Sequence, residues 1–160
     1  MVSSWNRCLP WAASTPCIVC QENCPVTPKA IYVVEKFETV RSGARNVLSV
    51  QGNEVRISGE AMEEGQYATG DYYISTWKSE KQSLYRISAN NNNSLTIGSD
   101  DVLDIDGVEN LEIQVRLQQP VVDQKKCIGC GICQHECPVQ GTRAIRVTSD
   151  NESRSAKRVI

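Results

Sequence analysis

The sequence has one histidine and one phenylalanine in 160 residues, and aromatic side chains make up only 6% of it. With His135 as the one imidazole, a serine–histidine–acid set has no other residue to be built on, so no catalytic residues are expected and the chain is not read as an enzyme. No stretch of 18 or more apolar residues occurs, so direct membrane insertion by this chain is not expected. The opening Met1-Val-Ser-Ser-Trp-Asn-Arg7 lacks the apolar run of a secretion signal. Positive charge is not in excess either. With 17 Lys and Arg against 19 Asp and Glu, the formal net charge is -2, and no nucleic-acid partner is expected.

That small total hides a division. Residues 36–118 carry 8 basic and 13 acidic side chains, net −5, and the remainder carries 9 and 6, net +3. One protein with mixed surfaces is the simplest reading of this change of sign. The length allows one or two small domains with an ordinary core. A hydrophobic share of 40% and a charged share of 22% fit a soluble globular chain.

Cysteine is what the sequence has in plenty. Its eight cysteines are Cys8, Cys17, Cys20 and Cys24, then Cys127, Cys130, Cys133 and Cys137, with none in the middle. Apart from Cys8, neighbours within each run are separated by two or three residues. Such spacing suits converging ligands better than a disulfide framework, so a reduced, intracellular metalloprotein is expected.

Between the two runs the chain reads as β-structure. Pro10, Pro16 and Pro25 exclude a long helix near the start. A strand is expected over Lys29–Glu35, after which Gly43 loosens the chain ahead of a hairpin. That hairpin pairs Asn46–Gln51 with Glu54–Ser58 around Gly52-Asn53, with Val55 and Ile57 on one face. Further strands are expected at Tyr72–Trp77, Leu84–Ser88, Ser94–Ile97, Leu111–Leu117 and Thr142–Thr148. The run Asn90–Asn93 suits a tight turn because asparagine tolerates left-handed backbone. Asp100, Asp101, Asp104 and Asp106 lack the glutamate spacing of a calcium loop and read as a solvated acidic turn. Trp77 is expected in the core of this β-rich part, and Trp5 and Trp11 are expected to shield a metal site from water.

The second run is Cys127-Ile-Gly-Cys130-Gly-Ile-Cys133-Gln-His-Glu-Cys137-Pro138. Three cysteines with two residues between neighbours can reach three corners of a four-iron cube, and a fourth, separated by three residues and followed by proline, ligates the other cluster of a pair. Gly129 and Gly131 let the backbone wrap closely and aim N–H groups at sulfur. A single tetrahedral zinc suits four such crowded thiolates poorly. The first run, Cys17-Ile-Val-Cys20-Gln-Glu-Asn-Cys24-Pro25, repeats the pattern with Ser14 at the first position. Each run ends Cys-Pro-Val and is followed by an Ala-Ile pair, Ala30-Ile31 and Ala144-Ile145, which makes an internal repeat.

On these motifs the chain resembles the bacterial-type dicluster 4Fe-4S ferredoxin family, and Cys20-Gln-Glu-Asn-Cys24-Pro-Val-Thr-Pro-Lys-Ala-Ile31 looks like its polyferredoxin-like members. The resemblance covers residues 5–35 and 119–148 and is silent on what lies between. It implies an α+β protein, a ferredoxin-like dicluster domain split by an all-β insertion. The domain would comprise residues 1–35 and 119–150, the insert 36–118 and a flexible tail 151–160. It implies two [4Fe-4S] clusters with crossed ligation. One takes Cys8, Cys17, Cys20 and Cys137, the other Cys24, Cys127, Cys130 and Cys133. Cys8 enters because some members place the first ligand farther upstream; a three-iron cluster, Ser14 or water are the alternatives at that corner. Crossing also lets 102 residues lie between Cys24 and Cys127 at little extra loop entropy.

The implied function is one-electron transfer, as a subunit or soluble domain of a larger redox assembly. Its partner would be a redox protein or a membrane-bound oxidoreductase complex, and its location cytoplasmic or attached to a membrane complex. The competing reading makes the clusters structural and the β insert a docking module. Lys125 and Lys126 either steer an acidic partner or form a solvated turn, and His135 is read as a partly exposed residue without a special role.

Overall fold

The computed structural model describes residues 2–3, 5–78, 81–98, 104–105 and 107–147, with residues 2, 3 and 5 described in their backbone alone. The chain divides into two compact units. One comprises residues 1–36 and 118–160, the other residues 37–117.

The 37–117 unit is a closed six-stranded barrel. Its strands are β2 (Ile31–Gln51), β3 (Glu54–Ile57), β4 (Tyr72–Lys78), β5 (Lys81–Asn90), β6 (Ser94–Ile97) and β7 (Asn110–Val122), in the order β2-β3-β6-β5-β4-β7. β2 begins and β7 ends in the other unit. Alternation builds the interior. In β3, Val55 and Ile57 are buried while Glu54 and Arg56 face water, and Tyr85 and Ile87 do the same in β5. Ile74, Leu95, Leu111 and Ile113 complete the fully buried centre. Among the described residues, closure leaves the barrel without a free sheet edge.

Three expectations change here. The strand from Lys29 and the first arm of the hairpin are one continuous strand, β2, and Gly43 does not interrupt it. Ser42 takes a positive φ of 59° beside it, and a Cβ on Gly43 would lie 2.6 Å from the Ile113 carbonyl. The glycine serves close backbone approach, not a turn. Trp77 is 59% exposed, not core. Ser75 and Thr76 fill the buried positions of β4 beside Ile74, and Trp77 stands near the turn end of the β4–β5 hairpin, opposite Gln82. The asparagine run turns without left-handed backbone, because none of Asn90–Asn93 has positive φ. Asn90 is buried instead, accepting the Tyr67 N–H at 2.8 Å and donating to the Glu63 carbonyl at 2.7 Å. The hairpin at Gly52-Asn53 forms as expected, pairing Val50 with Val55. Asp104 pairs with Lys78 at 2.9 Å; Asp100, Asp101 and Asp106 lie outside the described residues.

The other unit is short helices and loops. A two-residue strand β1 (Val2–Ser3) pairs with β8 (Ile145–Arg146), and a single 3₁₀ turn covers Trp5–Arg7. The helices are α1 (Leu9–Ala12), α2 (Val19–Glu22) and α3 (Ile132–Glu136). The last expected strand is therefore only Ile145–Arg146 among the described residues, and Thr148 and the tail lie outside them. Ile31, Ala144 and Ile145 are buried with Cys133 and Cys137, and Cys8, Cys20 and Cys24 pack against that cluster. Ile31 from the first half and the Ala144-Ile145 pair from the second thus form the floor on which the cysteines rest. Where the chain leaves and returns, the Asp123 N–H donates to the Ala30 carbonyl at 2.8 Å, so the ends of the long excursion are tied together.

Candidate functional site

α2 carries Cys20 and is followed by Cys24; α3 carries Cys133 and is followed by Cys137. Each run therefore forms one helical turn between its middle and last cysteine, as the repeat implies. Gly131, at φ 80°, opens α3, and Gly129 has φ 71°, a backbone region that residues with a Cβ rarely adopt. The last cysteine of each run then points away from its own partners.

The result is two separate cavities. The first is lined by Cys8, Cys17 and Cys20 from the N-terminal run and by Cys137 from the C-terminal one. Leu9, Pro120, Val122, Val139, Ala144 and Ile145 supply an apolar wall. The second is lined by Cys127, Cys130 and Cys133 with Cys24 from the other run, together with Pro25, Ile31, Ile128 and Gly131. Their empty volumes, counting the space open at the mouth, are about 500 and about 300 Å³. Among the described residues no three His, Cys, Asp or Glu side chains come close enough to hold one metal ion. All eight cysteines are free thiols.

The thiols differ in environment. Burial pushes Cys8 up to about 11 and Cys20 to about 12, outweighing a backbone N–H from Trp11 at Cys8 and from Gln21 at Cys20. Burial also raises Cys133, helped by neighbouring Cys127. At Cys24 burial acts in the same direction, but the N–H groups of Val26, Ala30 and Ile31 and the charge of Lys29 together bring the thiol below its ordinary value. Cys133 and Cys137 are buried, and Cys130 is exposed.

Several supporting residues give no signal in the sequence. The Lys29 ammonium donates to the Gln21 and Glu22 carbonyls at 2.7 and 2.6 Å, satisfying the end of α2. The Arg143 guanidinium donates to the carbonyls of Cys137 and Val139 at 2.7 and 2.6 Å and fixes the loop after the last cysteine. Asp123 caps the turn into the second run: its carboxylate accepts the Lys125 N–H at 3.0 Å, and its carbonyl accepts the Cys127 N–H at 3.1 Å. Spacing rules identify ligands, whereas these contacts depend on where the loops fold back.

The remaining expected residues fall as follows. His135 is exposed, 2.8 Å from the Glu136 carboxylate. Trp11 lines neither cavity; it is 40% exposed and its indole N–H lies 3.3 Å from the Pro120 carbonyl. The water-excluding wall of the first cavity is aliphatic instead. The Trp5 side chain lies outside the described residues. Lys126 pairs with Asp123 at 3.3 Å on an open surface.

Residues 118–139 match the model of the 4Fe-4S binding domain family. The match spans the whole second cysteine run and stops short of the first. No curated protein and no solved structure matches the chain. The protein is thus an α+β chain carrying a 4Fe-4S-type binding motif, which points to redox chemistry.

Proposed function

We propose that this protein is a one-electron carrier holding two [4Fe-4S] clusters, one on Cys8, Cys17, Cys20 and Cys137 and the other on Cys24, Cys127, Cys130 and Cys133. The observation that carries the reading is that each cavity is lined by four thiols, three from one end of the chain and one from the other. Three cysteines with two residues between neighbours and a fourth on the other site suit a polynuclear core with one thiolate per corner better than a single tetrahedral zinc.

A bound [4Fe-4S] cluster supplies a one-electron couple whose potential depends on hydrogen bonds to sulfur and on solvent exposure. The chain's own residues do the rest. The eight thiolates hold the two sites, and Ile31, Ala144 and Ile145 keep them at fixed positions. Backbone N–H groups at Cys8, Cys20, Cys24 and Cys133 offset negative charge on sulfur. Leu9, Val122 and Val139 keep water from the Cys8 site.

The ferredoxin-like domain is residues 1–35 with 119–150, and the barrel is an insert within it. The carrier works as a subunit or soluble domain of a larger redox assembly, cytoplasmic or attached to a membrane complex, and exchanges electrons with a redox protein of that assembly. Reduction of anaerobically prepared protein by dithionite, followed by reoxidation, tests this. Reversible bleaching of the visible thiolate-to-iron absorption is expected. Absorption that dithionite leaves unchanged would make the sites structural and turn attention to the barrel as a binding module.

A further inference from the structure

Each half of the cysteine-bearing unit closes on itself in the same way. The Ala-Ile pair after each run is preceded by a cation, Lys29 before Ala30-Ile31 and Arg143 before Ala144-Ile145. Both cations reach back to carbonyls beside the last cysteine of their own run. The Arg143 Nη1 donates to the Cys137 carbonyl at 2.7 Å and to the Val139 carbonyl at 2.6 Å, closing residues 137–143 into a ring. The Lys29 Nζ donates to the Gln21 and Glu22 carbonyls at 2.7 and 2.6 Å. The same Gln21 carbonyl accepts the Cys24 N–H at 3.2 Å.

Cys24 and Cys137 are the two cysteines that leave their own run. Cys137 lines the cavity of Cys8, Cys17 and Cys20, and Cys24 lines that of Cys127, Cys130 and Cys133. Cys17 and Cys20, like Cys127, Cys130 and Cys133, are placed by spacing within one run. A shared thiol has no such constraint, because its backbone stays with one run while its sulfur serves the other. A peptide is planar, so a held carbonyl fixes the plane beside the cysteine and with it the direction of the Cα–Cβ bond. Bonds from an ionised donor are the stronger kind for that purpose. Arg143 is half-buried and Lys29 exposed, so the hold on Cys137 is the less screened of the two.

Building on the two-site carrier reading above, we propose that Arg143 and Lys29 are positioning residues for the shared thiols. Arg143 directs Cys137 into the Cys8 site, and Lys29 directs Cys24 into the Cys127 site. Neither binds iron. Each acts on the one ligand that its half of the chain lends to the other.

Alkylation of the anaerobic holoprotein with iodoacetamide, with the labelled cysteines mapped by mass spectrometry, tests this residue by residue. All eight cysteines of the unsubstituted protein should be protected. Arg143→Met should make Cys137 the first to be labelled, several-fold faster than any other cysteine. Lys29→Met should do the same at Cys24, by a smaller factor. One lysine nitrogen can hold two carbonyls, as Lys29 does, so Arg143→Lys should restore protection of Cys137. A cation that only stabilised the unit would expose the cysteines of a run together. Labelling of Arg143→Met that starts at any cysteine other than Cys137, spreads evenly or stays at the unsubstituted level would overturn the proposal. Where Arg143→Met fails to take up iron, the exposed Lys29 carries the same test at Cys24. Unsubstituted holoprotein with fewer than eight irons would instead overturn the two-site reading, before any labelling is begun.

Discussion

Cys8 stands immediately before α1, and its carbonyl accepts the N–H groups of Trp11 and Ala12 at 3.0 and 2.8 Å. The short helix thereby fixes its sulfur against the first cavity, while Ser14, at φ 46°, is not among the residues lining it. Replacing Cys8 with alanine should therefore remove one iron from that site and give a three-iron paramagnetic signal, and Ser14→Ala should leave the iron content unchanged. Iron analysis with paramagnetic resonance of both variants checks this; an unaltered Cys8→Ala spectrum would take Cys8 out of the ligand set. The thiol environments also carry a pH dependence. With Cys8 raised to about 11 and Cys20 to about 12, chiefly by burial, the folded metal-free protein favours their protonated forms. Their contribution to stability is complete below the ordinary thiol value of 9.0 and is lost as pH rises through 11 to 12. Denaturant midpoints of the metal-free protein should hold up to about pH 9 and then fall, whereas binding of iron, which requires thiolates, should release protons.

At the scale of elements, β2 shows what a sequence reading can and cannot reach. The alternation around Val55 and Ile57 and the turn at Gly52-Asn53 gave the hairpin correctly, because period-two burial is a local signal. Gly43 was ambiguous, since a glycine in a strand marks either a break or a close approach, and only the position of the Ile113 carbonyl decides between them. Gly43→Ala should thus cost the barrel roughly 1–3 kcal/mol through overpacking, read as a lowered denaturation midpoint with iron content retained. Trp77 failed as a core residue for a related reason: its size suggested burial, but the register of β4 assigned the inside to Ile74 and Thr76. The second cysteine run was legible as a 4Fe-4S-type motif, because ligand spacing is encoded along the chain. Lys29, Arg143 and Asp123 were not, because their acceptors are carbonyls and turns that exist only once the loops are folded. Asp123 offers a test at this scale. Backbone N–H groups and Lys126 hold its carboxyl below the usual range. Its support for the turn before Cys127 is therefore full above the unfolded carboxylate value and is lost as pH falls through the lower folded one. Asp123→Asn should flatten the acid limb of the stability profile.

The whole molecule joins two kinds of core. The barrel buries Val55, Ile74, Ile87, Leu95, Leu111 and Ile113 and contains no cysteine, whereas the other unit centres on Ile31 and Ile145 packed among cysteines. A unit whose interior is largely thiol has little apolar area to hold it once metal is withdrawn. Chelation under reducing conditions should lower the thermal transition of that unit and leave the barrel's in place, with circular dichroism still reporting β-structure. Loss of both transitions together would mean that the barrel depends on the metal sites for its own stability.

In the proposed carrier, thiolates from both ends of the chain share two polynuclear sites. Iron and acid-labile sulfide counted on anaerobically reconstituted protein test it most directly. Eight of each per chain is the predicted result. Four of each, or one zinc and no sulfide, would contradict it.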